Sequence, residues 1–386
     1  MARVRPSPTG AVLALISELR AQGRDIISLG AGEPDFDTPR HIRDAAVAAI
    51  AAGQTRYTPI DGTPELKSAI QAKFRRENGL DYDTTQIIVT SGGKQALFNL
   101  CLALLAPGDE AIIPTPCWVS YPDMVLLAEG EPVMIETGIE QHFKVTPAQL
   151  EARLNDRTRL VVLNSPGNPT GASYTRAELQ ALGAVIENHP EVVVVSDDIY
   201  EHIYWADEPF VSFATACPAL FERTVTVNGV SKAYAMTGWR IGYAGGPAEL
   251  IGAMTTVQSQ STSTPCSVSQ AAAQAALDGD QGPVREMCAA YKHRHDYIVA
   301  ALNEIAGVHC RPGEGAFYVF PRVQDALERL DLADDTALAE KLITEADVAC
   351  VPGAAFGAPG YLRMSFACSL ETLEEALNRL NRVLAA

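Results

Sequence analysis

The stretch VVVVSDDIYEH, residues 192–202, decides how this chain is built. Its four successive valines are β-branched and apolar with no polar alternation, which suits a strand buried on both faces. Two carboxylates, Asp197 and Asp198, end the run. A carboxylate inside such a strand is costly unless a cation or several donors meet it, so Asp197 belongs at the rim of the sheet. It could instead cap the turn that follows. Asp198 could point to solvent or cap that turn, and Tyr200 could reach the same pocket as Asp197.

Working outward, similar runs recur: QIIVT (86–90), EAIIP (110–114), EPVMIE (131–136), RLVVLN (159–164) and TVTVN (224–228). They alternate with helix-like stretches such as KQALFNLCLALLA (94–106) and TRAELQALGAVIE (175–187). Buried strands separated by amphipathic helices predict an α/β fold with a mostly parallel sheet covered on both faces. After residue 280 the pattern changes to a long helix, GPVREMCAAYKHRHDYIVAALNEIAG (282–307), then short strands in GAFYVF, DVACVPG and YLRMSFA, then a closing helix at 370–384. That predicts a smaller α+β domain. A chain of 386 residues exceeds what one core normally serves. The expected division is 46–282 for the large domain and 283–386 for the small one, with the N-terminal segment 1–45 belonging to the small domain. The helix-like AVLALISELRAQG (11–23) sits in that segment.

The formal net charge of −17 argues against nucleic acid or an anionic membrane as partner. No apolar run is long enough to span a bilayer, and MARVRPSPTG is not followed by the apolar core of a secretory signal, so a cytoplasmic location is expected. Eight cysteines are scattered without a C-x-x-C pair, the pattern of reduced, buried thiols. In HRH (293–295) the two histidines point to different sides of a helix, and no metal site is expected there or elsewhere.

In an open α/β sheet, ligands bind outside the carboxyl ends of the strands. Besides Asp197, three polar stretches fall there. SGGKQAL (91–97) joins a strand to a helix, where glycines let a ligand approach and the helix start offers N–H groups to an anion; a plain tight turn fits equally well. NSPGNPTG (164–171) is a stiff loop, with room for a cis bond, that would hold Asn168 as a hydrogen-bond donor or be a turn without chemistry. SKAYAMTGWR (231–240) places Lys232 among small and aromatic residues just after TVTVN. Apolar surroundings would lower its pKa and make it a nucleophilic amine toward a carbonyl, whereas Arg240 stays charged and suits a phosphate. A lysine for an aldehyde, an aspartate for a pyridinium, and a helix start with an arginine for a phosphate together match pyridoxal 5′-phosphate (PLP).

GVSKAYAMTGWRIG (229–242) resembles the cofactor-attachment signature of class I aminotransferases of the aspartate aminotransferase superfamily. GEPDFDTP, YTPIDGTPELK, NSPGNPTG, SDDIYEH and GAFYVF are similar to that family's blocks, in the same order, across nearly the whole chain. The resemblance implies the PLP-dependent transferase fold of type I. It implies that Lys232 binds the cofactor covalently and shuttles a proton, that Asp197 pairs with the pyridine nitrogen, and that Tyr200 and Asn168 bond the ring hydroxyl. Trp118 would stack on the ring, although without the family match it would read as a core tryptophan. Gly92, Gly93, Lys94 and Arg240 would hold the phosphate, with Tyr57 reaching it from the neighbouring subunit of a homodimer. Arg363 would clamp the substrate α-carboxylate, helped by Asn168, Trp118 and Gly32; by composition alone it would be a strand-edge surface charge. Where many relatives carry a phosphate-binding serine three residues before the lysine, this chain has Gly229.

SGGKQALFN and RPSPTG resemble the bacterial subgroup that recognises a dicarboxylic substrate through a lysine and a threonine, here Lys94 and Thr9. Aspartate and 2-oxoglutarate are the implied substrates, and some members of the subgroup also accept prephenate. The alternatives are an aminotransferase for aromatic or other neutral amino acids and a PLP-dependent C–S lyase. A PLP-binding regulator is disfavoured because the chain has no spare segment for a DNA-binding module. A nicotinamide dehydrogenase is disfavoured because no G-x-G-x-x-G follows a strand.

Overall fold

The computed structural model describes residue 4 and residues 8–384, except the side chains of residues 8, 9, 11 and 13. Seven strands form the central sheet in the spatial order Ile87–Thr90, Gly242–Gly245, Thr224–Gly229, Val193–Asp197, Thr158–Asn164, Glu110–Thr115 and Glu131–Glu136. All run parallel except Gly242–Gly245, which is antiparallel to both neighbours. The fold is α/β, as the alternating pattern predicts.

The valine run shows why both faces of the sheet are apolar. Val193 and Val195 pack toward Leu97, Leu100 and Met254, whereas Val192 and Val194 pack toward Leu179, Leu182 and Ile186. Successive side chains in a strand point to opposite faces, so a strand covered by helices on both sides needs an apolar residue at every step. The register sets Asn164 beside Asp197 and Asp197 beside Val227, which brings the polar strand ends to one edge.

The strand Gly242–Gly245 is not evident from its sequence, GYAG, because glycine is a poor strand former. Close approach requires it here. A Cβ on Gly242 would lie 2.2 Å from the Gly93 nitrogen, and one on Gly245 would lie 2.6 Å from the Tyr82 ring.

Beyond residue 282, Leu362–Ser365 forms the middle of a three-stranded antiparallel sheet between Val351–Pro352 and Tyr318–Val319. The helices Gly282–Asn303 and Leu370–Leu384 pack on its core. Leu373, Ala376, Leu377, Leu380 and Leu384 recur at helical spacing and are buried, which docks the last helix by one stripe. The N-terminal segment joins this region. Ile27–Ser28 pairs with Val348–Ala349, and Ile16 and Ile26 pack on Ile343. The expected boundary at residue 45 falls within the helix Arg40–Ala51, whose Ile42 and Ala46 pack with Ala272 and Ala273 of the large region. No described helix is long and apolar enough to cross a membrane.

Candidate active site

A cavity of about 410 Å³ opens at the carboxyl edge of the sheet. Lys232, Asp197, Tyr200, Asn168, Trp118, Gly93, Lys94, Arg240, Gly32 and Arg363 all line it. Residues from seven separate stretches of sequence therefore meet where the parallel strands end.

At the floor, Asp197 is the last residue of its strand and is buried. Tyr121 donates to its Oδ2 at 2.6 Å and the Ile199 N–H to its Oδ1 at 3.3 Å, so the carboxylate both faces the cavity and closes its own turn. Burial pushes its pKa up to about 6, against the pull of the Tyr121 hydroxyl. Asn164 donates to the Asp197 carbonyl at 2.8 Å and accepts from the Asn168 N–H at 2.9 Å, which ties the loop to the strand end. That loop contains cis bonds at Ser165–Pro166 and Asn168–Pro169.

Lys232 lies in the turn that follows Thr224–Gly229, three residues past the strand end, and its Nζ donates to the Gly32 carbonyl. The amine lies 5.6 Å from the Phe317 ring centre and 5.9 Å from that of Tyr200. Burial first, then the positive charge of Arg363, lowers its pKa to about 8. An ordinary lysine stays almost wholly protonated at neutral pH, and the lowered pKa moves this one toward the neutral amine.

Arg363 lies in the central strand of the small sheet and is 3% exposed, so it is not a surface charge. Its Nη1 donates to Asn168 Oδ1 at 3.0 Å and its Nη2 to the Gly30 carbonyl at 2.8 Å; among the described residues Nε has no partner. Tyr318 and Phe356 sandwich it at 4.6 and 4.9 Å from their ring centres. Among the described residues no carboxylate pairs with it. A buried guanidinium held by neutral groups has spare capacity for an anion.

At the other end, Gly92 precedes the helix Gly93–Leu104, with φ +87°. A Cβ there would sit 2.1 Å from Arg240 Nη2, so only glycine admits the arginine. Arg240 is held by the carbonyls of Thr237 (2.9 Å) and Ser91 (3.3 Å). The free N–H groups of the helix start and this guanidinium form an anion cradle. Lys94 stands at the exposed rim with Nζ 4.7 Å from the Trp118 ring centre. Gly229 is closely packed: an added Cβ would lie 3.1 Å from Gly242 Cα, so the fold leaves little room for a serine there, and Ser231 lines the cavity instead.

Other expectations fall elsewhere. Tyr57 does not line this cavity and is 91% exposed. Thr9 is in the first turn of the helix Pro8–Ala21, but its side chain lies outside the described residues. Asp198 does not reach solvent; it is buried on the opposite side of the strand from Asp197 and accepts from Ser196 Oγ at 2.6 Å. Two tyrosines in the site are not apparent from sequence: Tyr121 on Asp197, and Tyr318, whose hydroxyl is 3.0 Å from that of Tyr200.

Residues 24–380 match the family "Aminotransferase class I and II", and the chain belongs to that family. It is an aminotransferase of the class I aspartate type, dependent on PLP. It is 54% identical to the aspartate/prephenate aminotransferase of Nitrosomonas europaea, covering 99% of this chain and 98% of that one. Among solved structures it matches the aspartate aminotransferase of Rhizobium meliloti with a TM-score of 0.95 and 48% identity, covering 99% and 97%. The Thermus thermophilus aspartate aminotransferase with maleate gives a TM-score of 0.94 at 45% identity, covering 99% of both chains.

The cavity fits the cofactor. A desolvated amine, a buried carboxylate opposite it, and a cradle that a Cβ at Gly92 would fill match its aldehyde, pyridine nitrogen and phosphate in turn.

Proposed function

We propose that this enzyme transfers the amino group of L-aspartate to 2-oxoglutarate, giving oxaloacetate and L-glutamate, with prephenate as a second acceptor. One observation carries the substrate class: besides the phosphate cradle and Lys232 the cavity has two cations, the buried Arg363, without a carboxylate partner among the described residues, and Lys94 at the rim. An amino acid with carboxylates at both ends answers both. The names of the relatives point the same way.

In this reading Arg363, braced by Asn168 and the Gly30 carbonyl, grips the α-carboxylate and turns Cα toward Lys232. Lys94, with Thr9, takes the distal carboxylate. When bound, the cofactor would supply a protonated ring as a sink for electron density from Cα. Lys232, with its lowered pKa, would take the proton from Cα and return it at the cofactor's C4′. Asp197 holds the ring nitrogen charged, Tyr121 fixes Asp197, and Tyr200 and Asn168 hold the ring hydroxyl while Trp118 covers its face. Arg240 with the Gly92–Lys94 backbone anchors the phosphate.

Tyr57, exposed here, completes the phosphate site of a second subunit, so the working unit is a cytoplasmic homodimer. Residues 46–282, joined by the helix from Arg40, form the PLP-binding domain, and 283–386 with the N-terminal segment form the small one.

Purified enzyme should show a long-wavelength absorbance band that bleaches with aspartate. Lys94→Ala should cost about 1.5–3 kcal/mol in kcat/KM for aspartate, the worth of a charged hydrogen bond, and far less for alanine or leucine. Equal losses across those donors would return the enzyme to the neutral-substrate alternative.

A further inference from the structure

The loop that carries Tyr57, residues 54–63, has no regular structure of its own, yet buried carboxamides hold it. Gln258, in the helix Ala248–Ser261, is fully buried. Its Nε2 donates to the Ile60 carbonyl at 2.7 Å and the Val89 carbonyl at 2.8 Å, and its Oε1 accepts from Asn99 Nδ2 at 3.0 Å. One side chain thus touches the Tyr57 loop, the strand that leads into Ser91, and the helix whose first turn is the phosphate cradle.

Neighbouring carboxamides extend the link at both ends. Gln95 accepts from the Ser91 N–H at 2.6 Å and donates to Thr262, just past the end of the Gln258 helix. Gln270, also fully buried, accepts from the Thr63 N–H at 2.8 Å and donates to Thr58 Oγ1 at 3.0 Å, next to Tyr57. An apolar side chain in their place would leave the Ile60 and Val89 carbonyls and the Thr63 and Ser91 N–H groups without these partners; the buried carboxamides carry the cost of burial and return it as fixed geometry.

We propose that Gln258 is a positioning residue that holds the Tyr57 loop in a set relation to the phosphate cradle of its own chain. Resting on the function above, this makes the tyrosine that one subunit lends to its partner part of the same rigid unit as the lender's own cradle.

The test is a double-mutant cycle read as PLP affinity, by titrating cofactor-free dimer and following absorbance, with thermal melting alongside. Gln258→Met keeps the volume and removes all three hydrogen bonds. It should weaken PLP binding about tenfold, the worth of one or two hydrogen bonds, and by less than about twofold when Tyr57→Phe is already present. An equal penalty in both backgrounds would mean that Gln258 acts on folding alone and would overturn the inference. Should Gln258→Met not fold, Thr58→Val cuts the Gln270 link beside Tyr57 and runs through the same cycle, with a smaller loss expected and the same outcome deciding. Wild-type protein that binds no PLP would instead overturn the function, a result distinct from either.

Discussion

Two groups of buried charges sit on either side of the same strand end, and they are built in opposite ways. Behind the sheet, Lys73 is fully buried and bonds to Glu201 and, at 2.7 Å, to Asn78 Oδ1. Asn78 donates to the other Glu201 oxygen at 2.6 Å, and Glu77 lies 3.6 Å from the same ammonium and 2.9 Å from His202. Burial pushes the Glu77 carboxyl up, but His202 and Lys73 outweigh it and hold it at about 2. Arg76 also pairs with Glu77 at 2.5 Å, and the charge of Lys73, with that of His202, keeps Glu201 below the usual range despite burial. Glu77, Glu201 and His202 offer ligand atoms within 4.8 Å of one another, yet the Lys73 ammonium already takes the place of a cation. In the cavity, by contrast, burial moves Lys232, Asp197 and Arg363 toward their neutral forms, and the opposite charges of Glu33, Asp197 and Lys232 pull back without outweighing it. A satisfied cluster stabilises the fold; an unsatisfied one is available for a ligand.

The largest expected effect tests the cavity side. Lys232→Ala should lower kcat for transamination by at least about 10⁴-fold, since it removes both the covalent anchor and the proton carrier. Compared as cofactor-free proteins, the variant should melt no lower than wild type, because a poorly solvated amine is lost. Steady-state kinetics and a thermal scan check both parts.

Lys73→Met should show the reverse. It leaves Glu201 buried without its cation and should cost about 3–5 kcal/mol of stability in urea unfolding. Below its unfolding transition, kcat should stay within about twofold of wild type, since no residue of that cluster lines the cavity. A turnover loss comparable to that of Lys232→Ala would break the distinction between the two regions.

How much of this was legible in the sequence differs residue by residue. Asp197, Asn168 and Lys232 follow directly on strands whose apolar runs mark where the sheet ends, so local pattern leads to them. Arg363 does not: its strand, LRMS, reads as easily as an edge, and only three-dimensional packing between Tyr318 and Phe356 buries it. Tyr121 has no local signal, because the carboxylate it meets is 76 residues away and an aromatic in a short helix suggests packing. The strand Gly242–Gly245 is hidden by the glycines that let it pass close to Gly92 and Gly93 and to the Tyr82 ring. The Gln258 links are hidden for a related reason: glutamines in QSQS look solvent-facing until the helix is placed.

The smallest effect sharpens the comparison at its boundary, between adjacent carboxylates. Burial, and then the charge of Glu201, raises the pKa of Asp198 from 3.8 to about 8. The folded protein therefore holds this proton more tightly than the unfolded chain. The associated stability is complete below pH 3.8 and is lost as pH rises toward 8. Asp198→Asn cannot titrate; it keeps an acceptor for Ser196 and puts an amide where Oδ2 lacks a partner. From pH 6 to pH 7, wild type should lose about 1.4 kcal/mol relative to this variant, read from urea midpoints at each pH. The variant should keep the wild-type kcat, because Asp198 does not line the cavity, whereas Asp197→Asn should not. If both proteins changed equally with pH, the carboxyl behind the sheet would be ionised like its cluster partners, and the line between satisfied and unsatisfied charge would run between Asp197 and Asp198 themselves.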